Sequence, residues 1–523
     1  MADVLLISRP LGRTAAAQET LGLRRQLGLL PLVMIFYFTV SGGAYGLEPV
    51  VSASGPGMAL LLIAVTPLIW SVPAVLMVAE LSAAIPVEGG YYAWVKKGLG
   101  SFWGFQEGWW SWLSSFVDMA IYPVLFASYL SALLSTQFGV RALDDPLAQW
   151  LVGLVVIWGF AYLNVRGVRL VGHSSILFGV LVLAPFTALV LAGIQRFLQA
   201  PAPFWQPVVP PETSLLGAFG AGLFVVMWNY QGWDSVSPVN GEVEHPRRTA
   251  PLAMWLALPL VILAYLLPVA AGLLSGIDWA EWKEGAFPQI GAALGGQWLG
   301  TWLAIGGLFS AAALFNANLL SVSRLPFVMA ADGYLPDAIT RLHPRFGTPW
   351  ISILLCAAIY SLCSWSAFTT LVVIDVVLYA ASLLLEFAAL IALRITEPQM
   401  VRPYRVPGGW PGVMLVALLP AALLVGAVAG TVTEEGTQAL SLSSAALASG
   451  VVAYPLCRLL FKRGRPDLPV PVERTGESGA GVSWWRTGRV AELAPRAPDP
   501  VEVGAKVPER GDAGAEHGGG VGG

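Results

Sequence analysis

Long apolar stretches recur along the chain and decide what it can fold into. A helix of about 20 apolar residues crosses the hydrocarbon core of a bilayer, and twelve stretches reach that length. Charged residues make up 12% of the sequence, whereas soluble proteins contain about 25%. The sequence therefore predicts an all-α membrane protein with twelve transmembrane helices. The predicted spans are residues 26–52, 57–83, 102–134, 147–165, 170–195, 215–240, 252–276, 297–330, 349–367, 369–394, 411–432 and 440–461.

Lysine and arginine are distributed unevenly over the connecting loops. If both ends of the chain lie in the cytoplasm, only Arg141, Arg196 and Lys283 fall in outer loops, and every other Lys and Arg falls on the inner side. Positive charge is retained on the cytoplasmic side of a membrane. This asymmetry predicts a multi-pass protein of the cytoplasmic (plasma) membrane with both termini in the cytoplasm.

The two ends of the chain differ in composition from the middle. Residues 1–25 are predicted to be a cytoplasmic N-terminal segment, and residues 463–523, rich in Pro, Gly and charge, a disordered cytoplasmic tail. A net charge of −3 without a long basic run predicts no nucleic-acid partner. The sequence has no metal-ligand spacing, Ser/His/Asp arrangement or phosphate-binding glycine loop. We therefore expect no metal, no cofactor and no enzymatic activity.

Two of the predicted spans are interrupted by glycine and polar residues. The first span has three glycines within residues 41–46, and the sixth has a polar, glycine-containing stretch at 228–235. Non-helical backbone at membrane depth is tolerated where it is buried in protein or lines a wet cavity. Broken helices at matching places in two halves point to a transporter binding site. The alternative for the first span is that its glycines serve close helix packing.

The spans divide into two halves that match in length. Spans one to five form a first repeat over residues 26–195, and spans six to ten form a second repeat over residues 215–394. Because five is an odd number, the second half enters the membrane from the opposite side, and the repeat is inverted. Spans eleven and twelve, within residues 411–461, lie outside it.

Several short motifs occur in order along the chain, among them Ser-Gly-Gly-Ala-Tyr-Gly-Leu-Glu at 41–48, Trp-Asp-Ser-Val-Ser at 233–237 and Arg-Pro-Tyr-Arg-Val-Pro at 402–407. With these motifs the chain resembles the amino acid-polyamine-organocation permease superfamily. Within it, the chain is most similar to plant-type polyamine uptake transporters and bacterial amino acid permeases. The resemblance implies a LeuT-type core of five plus five helices, alternating access, and substrate held between spans one, three, six, eight and ten.

Acidic residues at membrane depth are candidates for binding or coupling, because an ionisable group there is costly enough to imply a role or a partner. For Asp118 we weigh binding of an amine or proton against a structural hydrogen bond. Asp234 and Glu48 follow the two breaks, and capping of the new helix half is the alternative for both. For Glu386 an ion pair with an inner-loop arginine is predicted. A polyamine needs such acceptors, whereas the ends of broken helices suit an amino acid.

Aromatic rings at the breaks can close over a substrate and present a π-face to an ammonium group. Glu80 and Glu242 lie near the inner face beside family motifs, and we assign them to an intracellular gate. The residues predicted to bind substrate are Ser41, Gly42, Gly43, Ala44, Tyr45, Gly46, Asp118, Tyr122, Trp228, Asn229, Tyr230, Gly232, Trp233 and Asp234. Those predicted to serve gating or coupling are Glu48, Glu80 and Glu242.

The sequence thus predicts a secondary active transporter of amino acids or polyamines that works by proton-coupled symport, in contact with its small-molecule substrate and the lipid bilayer. Sodium remains open as the coupling ion. In some relatives a lysine in span five stands where sodium-coupled cousins bind an ion, and residues 174–188 contain none. An exchanger and a non-transporting nutrient sensor are the alternatives. The substrate and the oligomeric state stay open.

Overall fold

The computed structural model describes residues 23–474 except 142, 144, 366–368, 436 and 463. Within these residues the chain is helical, with isolated β-bridges between Leu27 and Val243 and between Met400 and Arg474. The α-helices are α1 (Leu29–Val40), α2 (Glu48–Ser54), α3 (Pro56–Ile69), α4 (Ser71–Ala84), α5 (Gly90–Leu99), α6 (Ser101–Phe138), α7 (Pro146–Arg166), α8 (Val168–Gln199), α9 (Leu215–Asn229), α10 (Pro246–Gly272), α11 (Phe287–Gly295), α12 (Gln297–Val322), α13 (Arg324–Ala331), α14 (Trp350–Cys363), α15 (Thr369–Thr396), α16 (Gly409–Glu435) and α17 (Thr437–Cys457).

The helices account for the predicted spans. Among the described residues, eight helical stretches are long and apolar enough to cross a bilayer, and four shorter apolar helices complete the set. The shorter ones are α1, α9, α14 and the first part of α16. The predicted all-α membrane fold is confirmed.

Both predicted interruptions are present. The chain leaves the helical path between Val40 and Glu48, with φ of +88° at both Gly43 and Gly46. In the sixth span α9 ends at Asn229, and Gly232 takes a φ of +94°. Such backbone conformations favour glycine because it has no Cβ.

The sixth span departs from prediction beyond its break. Residues 215–240 were expected to form one interrupted span, but only a short 3₁₀ helix, Ser237–Glu242, follows. Pro238 at its start has no backbone N–H to donate. Spans two and eight are each divided as well, at Trp70 and Ser323.

The connecting segments repeat between the two halves. After the second span, α5 packs on α6, and after the seventh, α11 packs on α12. In the centre, α6 packs against both α12 and α15, while α1 packs against α8 and α10. Side chains of α10, α12 and α15 contact the two breaks.

One end of the bundle, which we call the basic face, contains the C-terminal ends of α5, α13 and α15. The chain beyond α17 returns across it, because Lys96 donates to the Leu468 carbonyl over 2.8 Å and Val401 N donates to the Glu473 carbonyl over 2.7 Å. Residues 464–474 of the segment predicted to be disordered are thus fixed to the protein. The remainder of that segment and residues 1–22 lie outside the described residues.

Candidate functional site

A cavity opens between the two breaks. Its volume is about 820 Å³, which includes a part open to solvent. The solvent-exposed Glu284 lies at its mouth, at the end of the bundle opposite the basic face. The lining residues are Thr39, Val40, Gly42, Tyr45, Gly46, Asp118, Tyr122, Leu125, Tyr129, Trp228, Asn229, Gln231, Gly232, Ser235, Tyr265, Glu284, Ser310, Ala311, Leu314, Asn318 and Tyr379.

Many of the predicted substrate-binding residues line this cavity. Those that do are Gly42, Tyr45, Gly46, Asp118, Tyr122, Trp228, Asn229 and Gly232. They come from the first break, the middle of α6 and the end of α9. The structure therefore brings together residues separated by almost 200 positions in sequence, as the paired breaks predicted.

The other predicted binding residues lie behind the cavity wall. The Ser41 hydroxyl accepts a hydrogen bond from Gly43 N over 3.1 Å within the first break, and Ala44 is fully buried. The Tyr230 hydroxyl donates to the Ile63 carbonyl over 2.9 Å, and Trp233 is fully buried. Their neighbours Gln231 and Ser235 line the cavity instead.

Tyr265 on α10 joins the two breaks. Its hydroxyl oxygen lies 3.1 Å from the Val40 carbonyl oxygen and 2.8 Å from the Asn229 carbonyl oxygen, so one hydroxyl contacts the last residues of α1 and α9. On the other side, the Ser310 hydroxyl donates to the Gly42 carbonyl over 2.6 Å. Backbone carbonyls that the broken helices leave open are satisfied by side chains from α10 and α12.

The Glu48 side chain folds back onto the first break. Gly46 N donates to Glu48 Oε2 over 2.7 Å, while Oε1 has no hydrogen-bond partner among the described residues. Gly46 precedes α2, and α2 has no side-chain cap, so the capping alternative is wrong for Glu48. A coupling role for Glu48 stays a prediction.

Asp118 has a second carboxylate beside it. Asp375 on α15 is 1% exposed and accepts a hydrogen bond from the Ser114 hydroxyl. The two carboxyl groups are close enough to share a proton, and the Gln231 side chain also reaches Asp375. Sequence reasoning missed Asp375, although an acid inside the apolar run of span ten was a signal that could have found it.

Glu386 does not form the predicted ion pair. It is fully buried beside Asp234 and Glu107, and neither of its carboxylate oxygens has a hydrogen-bond partner among the described residues. Arg394 instead pairs with Glu80 on α4. Eight residues of helix separate Arg394 from Glu386, a rise of about 12 Å, so the arginine lies too far along α15.

Asp234 does not cap the helix that follows the second break. Its Oδ1 accepts a hydrogen bond from the Tyr379 hydroxyl over 2.7 Å, and the 3₁₀ helix has no side-chain cap. Tyr379 also accepts a hydrogen bond from Gly232 N over 2.9 Å. Asp234 therefore faces α15, directly behind a cavity-lining tyrosine.

The two predicted gate residues tie helices together near the basic face. Glu80 accepts hydrogen bonds from Arg394 Nε over 2.9 Å and from Val406 N over 2.7 Å. Glu242 accepts one from Arg324 Nε over 2.8 Å. The Glu242 carbonyl also accepts a hydrogen bond from Gln26 N over 2.8 Å, which fixes the chain ahead of α1. The contacts suit a closed gate, and the gating role itself stays a prediction.

Comparison with known proteins agrees with this architecture. The family model described as amino acid permease matches residues 27–443. The chain belongs to the amino acid permease family. Among solved structures, the fold is similar to that of MhsT, a LeuT-fold transporter crystallised with L-phenylalanine, with a TM-score of 0.58 at 15% identity, covering 78% of this chain and 100% of that one. The predicted LeuT-type fold is therefore confirmed.

Among its relatives, this permease is similar to named polyamine transporters of plants. It is 34% identical over 441 residues to polyamine transporter RMV1 of Arabidopsis thaliana, covering 84% of this chain and 87% of that one. It is 36% identical over 454 residues to polyamine transporter PUT1 of Oryza sativa subsp. japonica, covering 85% and 82%. The serine/threonine exchanger SteT of Bacillus subtilis is 27% identical over 345 residues, covering 64% and 75%. The chain is thus a multi-pass membrane protein of the amino acid permease family.

Proposed function

We propose that this permease carries polyamines across the cytoplasmic membrane by proton-coupled symport. The observation that carries the proposal is the charge of the cavity. Its described lining contains two carboxylates, Asp118 and Glu284, and no Lys, Arg or His. Asp375 adds a third carboxylate directly behind Asp118. Such a lining accepts several ammonium groups and offers a substrate carboxylate no cationic side chain.

The acids are arranged at two places. Asp118 and Asp375 lie between α6 and α15, whereas Glu284 lies at the mouth with Glu48 close by. A polyamine places ammonium groups at intervals along a methylene chain. We therefore expect one ammonium group at Asp118 and Asp375 and another toward Glu284.

The cavity wall contains several aromatic residues. They are Tyr45, Tyr122, Tyr129, Trp228, Tyr265 and Tyr379. Aromatic faces attract ammonium groups, and methylene groups pack well against rings. The names of the plant relatives RMV1 and PUT1 support the same substrate class.

The position of the contacts supports alternating access. With the basic face placed in the cytoplasm, as the loop charges predict, the pairs Glu80–Arg394 and Glu242–Arg324 close the cytoplasmic side while the mouth at Glu284 faces outward. Breaking these pairs, and making contacts around the mouth, would expose the cavity to the cytoplasm.

Uptake into proteoliposomes tests the proposal. We expect labelled putrescine or spermidine to accumulate when the outside is more acidic than the lumen, and a panel of amino acids to accumulate far less. Asp118→Asn should lower spermidine uptake, whereas Asp337→Asn, the same change at an exposed position, should not. Absence of polyamine uptake both with and without the pH gradient would reject the substrate class.

The same vesicles separate the coupling modes. Uptake that requires substrate inside the vesicle, and ignores the pH gradient, would identify an exchanger in place of a symporter. Binding of spermidine without flux in either direction would favour the sensor.

A further inference from the structure

A polar seam runs through the apolar interface between α6 and α15. On each helix its residues are spaced four, three and four positions apart, so they share one helix face. We call this set the acidic seam: Glu107, Ser111, Ser114 and Asp118 on α6, with Asp375, Tyr379, Ser382 and Glu386 on α15.

The seam has two ends because the helices run antiparallel. Asp118 meets Asp375 at the cavity, whereas Glu107 and Glu386 lie together closer to the basic face. Hydroxyl groups stand at both ends: Ser114 donates to Asp375 at the cavity. Ser111 donates to Glu107 Oε1 over 3.1 Å and lies 3.3 Å from the Ser382 hydroxyl. The seam therefore leads from the cavity toward the basic face.

Three carboxyl groups meet at the inner end of the seam. Glu107 and Glu386 are fully buried, and Asp234 from the second break is 5% exposed. Glu107 Oε2 and both oxygens of Glu386 have no hydrogen-bond partner among the described residues. Asp234 and Glu386 are close enough for one proton to bridge them.

As far as the structure describes the chain, the elements packed around the three carboxyl groups bring no cation to them. The break contributes Asp234, α6 contributes Glu107 and α5 contributes Tyr91, while Tyr379 faces them from α15 itself. The basic groups nearby on α5 and α15 are engaged elsewhere: Lys96 with Asp332, Lys97 with Glu397, and Arg394 with Glu80. Within the described residues, α4, α16 and α17 place no charged group against the three.

This environment selects a proton as ligand. Three adjacent buried carboxylates without a counter-ion cannot all be ionised, because burial and mutual repulsion both oppose the charged form. An ionised carboxylate only accepts hydrogen bonds, whereas a protonated one donates. A proton between Asp234 and Glu386 therefore supplies a hydrogen bond that the ionised pair lacks.

Tyr379 links this group to the cavity. Its ring lines the cavity, and its hydroxyl donates to Asp234 over 2.7 Å while accepting from Gly232 N over 2.9 Å. A substrate that moves Tyr379 removes one hydrogen bond from Asp234 and changes how strongly the carboxyl group holds a proton. Binding in the cavity and protonation behind it are thereby coupled, and such coupling is reciprocal.

We propose that Glu107, Asp234 and Glu386 are the site that holds the transported proton, with Tyr379 as the positioning residue that senses substrate. When the cytoplasmic side opens, the O–H bond of the protonated carboxyl group breaks. The proton bonds to water, and a carboxylate remains. The proposal rests on proton symport as the proposed function and assigns it a site separate from the amine-binding carboxylates Asp118 and Asp375.

The test uses Glu386→Gln, which keeps the shape and removes the titration. Glu397→Gln is the matched control, because Glu397 follows the same helix but lies in ion pairs with Lys97 and Arg474. In proteoliposomes, Glu386→Gln should retain exchange of labelled spermidine at equal pH on both sides. Accumulation driven by a pH gradient should fall by about tenfold or more, the size expected for loss of coupling between two sites. Glu397→Gln should behave like the native protein.

Infrared difference spectroscopy on unliganded, reconstituted protein supplies a readout that needs no substrate. A pH jump should produce a band of a buried carboxylic acid that is lost in Glu386→Gln and kept in Glu397→Gln. Glu107→Gln serves as the second variant if Glu386→Gln does not fold. An unchanged band, or unchanged gradient-driven accumulation in both seam variants, would overturn the site. Absence of spermidine uptake by the native protein would reject the proposed function alone, since the infrared result still decides the proton site.

Discussion

Asp118 on α6 and Asp375 on α15 present their carboxyl groups to each other at the cavity wall, close enough to share a proton. The two acids come from different repeats of the fold and stand in an apolar interface. When no cation is present, repulsion disfavours two charges at this distance. An ammonium group placed between them removes that repulsion and satisfies Asp375 Oδ2, which has no partner among the described residues.

Replacement of Asp375 tests this arrangement. We expect Asp375→Asn to weaken spermidine binding by about 10-fold to 100-fold, the value of one hydrogen bond to a charged group. Thermal stabilisation of purified protein by spermidine measures the affinity, and Asp337→Asn is the control. Equal affinities in the native protein and Asp375→Asn would remove this acid from the amine site.

The hydroxyl of Tyr265 should matter more than its ring for transport. Tyr265→Phe keeps the packing and removes the group that contacts both Val40 and Asn229. We expect the two breaks to lose their common support and spermidine uptake to fall several-fold, with a smaller change in thermal stability. Tyr162→Phe, which removes an exposed hydroxyl, should leave uptake unchanged. If the two variants transport equally well, the bridge has no role in the cycle.

Gly232 should not tolerate a side chain. A Cβ there would lie 2.5 Å from the Thr39 carbonyl oxygen, and its φ of +94° is strained for other residues. We expect Gly232→Ala to reduce both folding yield and uptake. A Cβ at Gly220, in the same span, would point into open space, so Gly220→Ala should be neutral. Folded, fully active Gly232→Ala would contradict the close approach of the two breaks.

The two tryptophans of the second break should differ in their effects. Trp228 lines the cavity, whereas Trp233 is fully buried behind it. Trp228→Ala should therefore weaken spermidine binding with little loss of stability. Trp233→Ala should destabilise the fold by about 3–5 kcal/mol, as for other buried aromatic residues. Thermal unfolding with and without spermidine distinguishes the two, and a reversed pattern would mean that the ring assignments are wrong.

Asp467 should make stability depend on acid pH. Burial alone would raise its pKa, but hydrogen bonds from Lys462 and Ser101 outweigh this and lower the pKa to about 2. In the unfolded chain the pKa of an aspartate is about 4. The stabilisation is therefore complete above about pH 4 and is lost as the pH falls toward 2. The unfolding midpoint of Asp467→Asn should be lower at neutral pH and converge with that of the native protein in acid. Parallel curves would exclude this contribution.

The breaks were predictable because their cause is local. Glycines that permit positive φ, and polar residues inside an apolar run, are visible in the sequence, and the structure brings Gly42, Tyr45, Asn229 and Gly232 together around one cavity. The direction of side chains within the second break was not visible. Once α9 ends, no helical period relates Tyr230 to Gln231. The sequence therefore predicted Tyr230 as a binding residue, whereas Gln231 lines the cavity.

The partners of the buried acids were out of reach for a different reason. The sequence predicted an ion pair between Glu386 and an arginine because opposite charges attract. In the structure the neighbours of Glu386 are Glu107 and Asp234. Which acids meet depends on how α6 and α15 pack, and that packing is not encoded in the period of either helix alone. Asp375 itself is visible as an acid inside an apolar run, but its position beside Asp118 depends on the same packing.

The return of residues 464–474 across the basic face joins parts of the chain that belong to opposite repeats. Leu468 contacts Lys96 of the first repeat through its carbonyl and Asp332 of the second through its N–H, the latter over 2.8 Å. One residue of this segment is therefore hydrogen-bonded to both repeats. A change in the distance between the repeats at this end would strain these two bonds.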